Sequence, residues 1–198
     1  TPQTRQTDSM TGLFAGVEEM IRTVNDAPDA GFAAAVGQHL DLPSFMRYLA
    51  VENFLAEDDG LVGMWGLHNL YLYRRRSDGR SQLIPWDKDT SFSTLDHPLD
   101  FHLLDNVLTR RAIATPELRQ IYFDTLMQCA RLAQEQESPG SRGWLEREID
   151  LVSGQIRDAV AGDSVYPFSL DVFDAQIEWL RRFARERPVL VEATMGGR

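Results

Sequence analysis

The chain has 198 residues, 20 of them Lys or Arg and 30 Asp or Glu, for a formal net charge of −10. That length suits about one domain, and 43% hydrophobic residues with ten Phe and four Trp supply a real core, which excludes intrinsic disorder. The acidic balance argues against a nucleic-acid surface, which needs clustered cations, and no apolar run approaches the ~18–20 residues that cross a bilayer.

The first forty residues read as helical. Leu13, Val17, Met20, Ile21 and Val24 recur at three-and-four spacing on one helix face. Asn25-Asp26-Ala27-Pro28 breaks that helix, and a second short one runs through Phe32 to Leu40. Asp41 is an N-cap, with Pro43 in the first turn of a helix that carries Phe45, Leu49, Glu52 and Leu55 and runs out at Glu57-Asp58-Asp59-Gly60. From His68 the pattern changes. Asn69-Leu70-Tyr71-Leu72-Tyr73 alternates and is aromatic, as strands are, Ser77-Asp78-Gly79 is turn chemistry, and Gln82 to Trp86 is the returning strand. Pro85 cannot donate to a ladder, so that strand is an edge or ends there. A hairpin alone is marginal in water, so it is expected to lie against the helices.

A loop of Asp87 to Asp100 follows, and the rest is helical. One helix opens at Thr115-Pro116 and buries Leu118, Ile121, Tyr122, Leu126, Cys129 and Leu132. Another carries Leu145, Ile149, Val152, Ile156 and Val160 as its inner face; the last follows Ser169 and stops at Arg187-Pro188. Fold class is therefore mainly α with one small antiparallel hairpin. Cys129 is the single cysteine, which excludes an internal disulfide and a Cys-based metal cage; its setting reads as a buried small hydrophobe. With Thr1-Pro2 and no leading Met, the chain reads as a fragment or a trimmed form.

The hairpin mouth concentrates hard oxygen donors. A turn centred on Asp78 sets Asn69 opposite Asp87, and a one-residue uncertainty leaves them diagonal neighbours, with Cβ atoms about 4.5–5.5 Å apart or somewhat more. Asp89 points the same way if the chain stays extended. Asp58 and Asp59 end the preceding helix and lead into Asn69. Such a set suits Mg²⁺, with phosphate oxygens and water completing the octahedron. The four histidines lack zinc-ligand spacing. The same residues also read as a helix-ending turn and a solvated loop, since Asp and Asn are common turn residues. The rigid Ile84-Pro85-Trp86 approach to Asp87 favours the metal reading.

Asp59-Gly60, His68-Asn69-Leu70-Tyr71-Leu72-Tyr73 and Ile84-Pro85-Trp86-Asp87-Lys88-Asp89-Thr90-Ser91-Phe92 resemble the core of the CotH (spore coat protein H) kinase family. Leu42-Pro43-Ser44-Phe45 to Glu52-Asn53 resembles its preceding helix, and Asp105-Asn106-Val107-Leu108 through Arg119 its following segment. The resemblance spans most of residues 40–190 and implies the C-terminal lobe of an atypical protein kinase. Such a lobe uses ATP and Mg²⁺ (or Mn²⁺ or Ca²⁺) to phosphorylate Ser or Thr of a protein substrate. It implies Asp59, or alternatively Asp58, as the catalytic aspartate, and Asn69, Asp87 and Asp89 as metal ligands. Tyr71 and Lys88 would lie toward the nucleotide.

Residues 1–198 are read as one domain. A Gly-rich phosphate loop is missing, and Lys88, the only lysine against nineteen arginines, follows the metal aspartate and turns away from it. Those parts would come from an N-terminal lobe of the same protein, and the chain alone would bind metal weakly and transfer phosphate poorly. Two other functions fit: a non-catalytic interaction or coat-assembly module, and a divalent-metal phosphoesterase. Tyr71 and Tyr73 read more readily as core than as pocket walls, and His68 as a structural histidine more than a proton shuttle. Arg74-Arg75-Arg76 with Arg80 reads as a solvated, edge-protecting turn more than as a dock for an acidic partner. Arg181, Arg182, Arg185 and Arg187 suit a helix C-terminus.

Overall fold

In a computed structural model, residues 10–197 are described. The elements in chain order are α1 (Met10–Asp26), a 3₁₀ turn (Asp29–Gly31), α2 (Phe32–Val36), α3 (Leu42–Phe54), β1 (Leu70–Arg74), β2 (Ser81–Pro85), α4 (Val107–Ala114), α5 (Pro116–Ala133), α6 (Trp144–Gly162) and α7 (Leu170–Gly196). Seven helices and one two-stranded antiparallel sheet among the described residues make the chain mainly α, as the periodicity predicts. Leu13, on the predicted first face, lies outside the residues whose side chains are described. The chain divides into two compact units: residues 1–49, 59–88 and 102–122, and residues 50–58, 89–101 and 123–198.

The first unit packs Val24, Phe32, Val36, Leu40, Phe45, Met46, Leu49 and Tyr122 in its interior. α1 stops at Asp26, before Pro28, and leaves unpaired carbonyls as every helix end does. Arg111 of α4 takes them: it donates to the carbonyls of Val24, at 2.5 Å, and of Ala27, and lies over the Phe32 ring, 4.5 Å from its centroid. Asp41 caps α3 as expected, accepting the Ser44 N–H at 3.2 Å. α4 carries a signal the sequence reading passed over: the Asn106 side chain accepts the Leu108 N–H at 2.8 Å.

The hairpin departs from expectation in two ways. Its register pairs Leu70 with Pro85 and Arg74 with Ser81, so Asn69 stands opposite Trp86 and Asp87 is its diagonal neighbour. It is also more open than expected: four of the five β1 residues are exposed, although Arg74 at the strand's end lies against Gly16 of α1. It is held at the turn end instead. Ser81 donates to the His39 carbonyl at 2.6 Å and accepts from the Asp41 N–H at 2.8 Å. Tyr71 and Tyr73 are consequently exposed rather than core.

The second unit buries Phe54, Ala56, Leu99, Leu126, Phe183, Ala184 and Val191. Two expectations fail here. Val152 and Ile156 of α6 are exposed, while Glu146 and Ser153 are buried. Ion pairs set that rotation: Arg185 meets Glu146 at 2.8 Å and Arg181 meets Asp150 at 2.6 Å, from α7. α7 runs through Pro188 to Gly196 instead of stopping there. A proline inside a helix loses a hydrogen bond, but Pro188 and Val191 are buried, and Arg187 ties this turn down. The α7 arginines thus answer carboxylates and carbonyls along the helix rather than its terminal dipole. Leu132 is exposed, and Cys129 is half-buried, its thiol pushed up to about 11 by burial, which keeps it inert.

Candidate functional site

Two left-handed residues bracket the hairpin mouth. Asn69, immediately before β1, has φ 50°, and Asp87, one residue past Trp86, has φ 48°. Side chains other than Gly avoid this region, and Asn and Asp tolerate it best. The turn at each strand end redirects the chain out of the ladder. Between them, Trp86 N–H donates to the Asn69 carbonyl at 3.1 Å, one pair beyond the named strands.

Asp59 is the hub of the mouth. Its Oδ2 accepts the Asn69 amide N–H at 2.8 Å across ten residues, and its Oδ1 meets His68 Nδ1 at 2.8 Å. Spending the amide N–H on Asp59 leaves the Asn69 oxygen, the atom a cation would take, clear of that bond. Asp87 is exposed, and among the described residues its carboxylate has no hydrogen bond or ion pair. Asn69 oxygen and Asp87 carboxylate are hard donors of the kind Mg²⁺ takes, with water or phosphate filling the remaining positions. The donor set therefore fits a divalent cation. Among the described residues, no three His, Cys, Asp or Glu side chains gather closely enough to form a metal cluster on their own.

Aromatic residues wall this mouth. Trp86 meets Tyr71 edge to face, ring centroids 5.4 Å apart, and both stay exposed. Met64, Trp65 and Leu67, just upstream of His68, are exposed too. Lys88 Nζ lies 5.7 Å from the centroid of Tyr48. His68, expected as a hydrogen-bonded structural histidine, is largely exposed and makes its bond to Asp59. At the far end of the hairpin, Arg75 pairs with Asp78 at 2.7 Å and Asp41 at 3.0 Å, and Arg80 with Asp78 at 2.9 Å. Those two arginines are structural, in keeping with the solvated-turn reading.

Asp58 and Asp89 belong to the second unit, where Asp58 is half-buried and Asp89 exposed. The residue that organises their surroundings was missed. Glu57, 2% exposed, accepts Thr90 Oγ1 and Ser91 Oγ at 2.5 Å each. Thirty-three residues separate Glu57 from Thr90, so no local pattern could have paired them. From the sequence, Glu57 is only the first residue of the acidic run that ends the helix. Leu55 carbonyl, accepting the Phe92 N–H at 2.6 Å, ties down the same stretch.

Residues 3–191 match the family model described as CotH kinase protein. The chain belongs to that family. Among curated proteins it is similar to the inner spore coat protein H of Bacillus subtilis (strain 168), 27% identical over 177 residues. That alignment takes in 86% of this chain and 46% of the relative, so this CotH-family chain spans less than half the length of the protein it matches. Asp59, Asn69 and Asp87 all lie inside the matched region.

Proposed function

We propose that this CotH-family chain is the metal-binding, catalytic lobe of an atypical kinase that moves phosphate from ATP to Ser or Thr of a protein. The observation that carries the reading is the Asp59–Asn69 bond of 2.8 Å at the hairpin mouth, where Asp87 follows Trp86 and makes no hydrogen bond or ion pair among the described residues. Phosphoryl transfer asks the protein mainly for positioning and charge neutralisation. Asn69 and Asp87 would hold a Mg²⁺ ion, which when bound neutralises phosphate oxygens. Asp59 orients the acceptor hydroxyl and takes its proton, leaving the oxygen free to attack. Two N–H donors, from His68 and Asn69, fix the direction of that carboxylate.

Tyr71 and Lys88 would be the residues nearest the nucleotide. A separate N-terminal lobe of the whole protein supplies the phosphate-binding lysine and covering loop that this sequence lacks. In support stand the family's description as a kinase and the left-handed backbone at both metal residues. The test is ATP-dependent phosphate incorporation by the full-length protein with Mg²⁺ or Mn²⁺. Asp87→Ala and Asn69→Ala are expected to abolish it, and inorganic phosphate released without a protein acceptor would point to a phosphoesterase instead.

A second reading, a coat-assembly module without turnover, is favoured by the name of the relative, an inner spore coat protein. Full-length protein that incorporates no phosphate while still binding coat components would select it.

A further inference from the structure

β1 has two edges, and the described residues use one. In an antiparallel pair, residues that exchange hydrogen bonds with the partner alternate with residues whose N–H and C=O turn outward. Trp86 N–H bonds to Asn69 C=O and Arg75 N–H to Arg80 C=O, which settles the parity. Asn69, Tyr71, Tyr73 and Arg75 face β2, so Leu70, Leu72 and Arg74 direct their backbone groups away from it. Among the described residues those outward groups have no partner. The outer edge of β2 is closed by comparison: Ser81 bonds to His39 and Asp41, and Pro85 has no N–H to offer.

The open edge is polarised. Tyr71, Leu72 and Tyr73 give it an exposed apolar margin. At its start stand Asp59 and Asp87; at its end stand Arg74 and Arg76, neither ion-paired among the described residues. Arg74 donates to the Gly79 carbonyl and its guanidinium lies against Gly16 of α1, whereas Arg76 is exposed on the turn. A second copy of the chain, itself at −10, is repelled as an occupant. An extended segment that carries acid at one end suits the edge better.

We infer that the open edge of β1 binds the acceptor polypeptide as an added antiparallel strand. The hydroxyl residue then lies beside Asn69, and acidic residues about five to seven positions before it lie against Arg74 and Arg76, at one residue per pair along β1. This rests on the kinase reading for the word acceptor, but the binding itself does not. The substrate class is a Ser or Thr preceded by alternating apolar residues and, before those, by Asp or Glu.

The test uses a synthetic peptide of that pattern, labelled for fluorescence anisotropy, with the chain and no nucleotide. N-methylating the peptide amides that face β1 is expected to weaken binding by about tenfold or more, and methylating the intervening amides to leave it unchanged. Arg76→Glu, alone or with Arg74→Glu, weakens it as well, and a peptide with Lys in place of the acids restores binding to the variant. No binding, or binding indifferent to which amides are methylated, overturns the inference. So does self-association of the chain that the peptide fails to displace. If full-length protein phosphorylates an acid-free peptide equally fast, the edge assignment falls and the kinase reading stands. Binding with the expected methylation pattern but no phosphorylation does the reverse.

Discussion

Arg187 and Asp87 are both charged residues in a mainly helical chain, and they are treated in opposite ways. Arg187 is 2% exposed and donates to four backbone carbonyls: Phe54 at 3.0 Å, Leu95 and His97 at 2.8 Å each, and Asn53 at 2.7 Å. Four of its five side-chain N–H groups hold the end of α3 and the loop after Thr94. Asp87 is exposed, sits on a left-handed backbone, and makes no hydrogen bond or ion pair among the described residues. A buried polar group without partners costs stability, so the interior saturates its arginine. An exposed polar group left unsatisfied costs little and stays available to a ligand. The second unit thus invests its polar chemistry in architecture, and the hairpin mouth of the first unit keeps some in reserve.

That contrast breaks most sharply at Arg187. Replacing it by Met orphans four buried acceptors at about 1–3 kcal/mol each before relaxation. Urea denaturation should therefore register several kcal/mol of lost stability, and a loss under about 1 kcal/mol would mean the carbonyls find other donors. Asp87 should behave in the reverse sense. Asp87→Ala is expected to cost about 0.5–1 kcal/mol, because Ala tolerates the left-handed region less well than Asp, and Asp87→Gly to cost nothing or stabilise slightly. Both variants should lose Mn²⁺ binding as followed by electron paramagnetic resonance. Metal binding that survives either change would remove Asp87 from the site.

The smallest effect sharpens the comparison at the hairpin turn. Burial would raise the Asp41 carboxyl, but the Ser44 N–H and Arg75 outweigh it and hold it below its usual value. Arg75, then Arg80, hold Asp78 lower still. Groups held down in the folded state stabilise it above the ordinary carboxylate range and lose that contribution as pH falls through their lowered values. Amide exchange at Ser81 and Asp41 should therefore accelerate as the pH drops below about 4, relative to the Trp86 amide. Asp78→Asn should flatten that dependence. An unchanged profile would show that the Ser81 bridge alone holds the turn.

Several elements were legible because their signals are local. Asp41 capping α3, Thr115-Pro116 opening α5 and Pro85 ending β2 are each decided within a few residues. So was the composition of the mouth, since Asn69 and Asp87 flank two strands joined by a short turn. The register came out one residue off because Ser77 to Arg80 accommodates more than one turn, and β1, exposed on both faces, offers no buried face to pin the pairing.

What lay beyond the sequence needed a partner distant along the chain. Glu57 read only as part of a helix-ending acidic run until Thr90 and Ser91 closed on it, and Arg187 looked like a helix-ending cation until four carbonyls surrounded it. The apolar stripe of α6 implied an inner face, but ion pairs from α7 turned Glu146 inward and left Val152 and Ile156 outside. Periodicity states which residues share a side of a helix, because 3.6 residues complete a turn whatever surrounds it. Which side is buried is chosen by the neighbours that arrive, so only the tertiary structure could decide it.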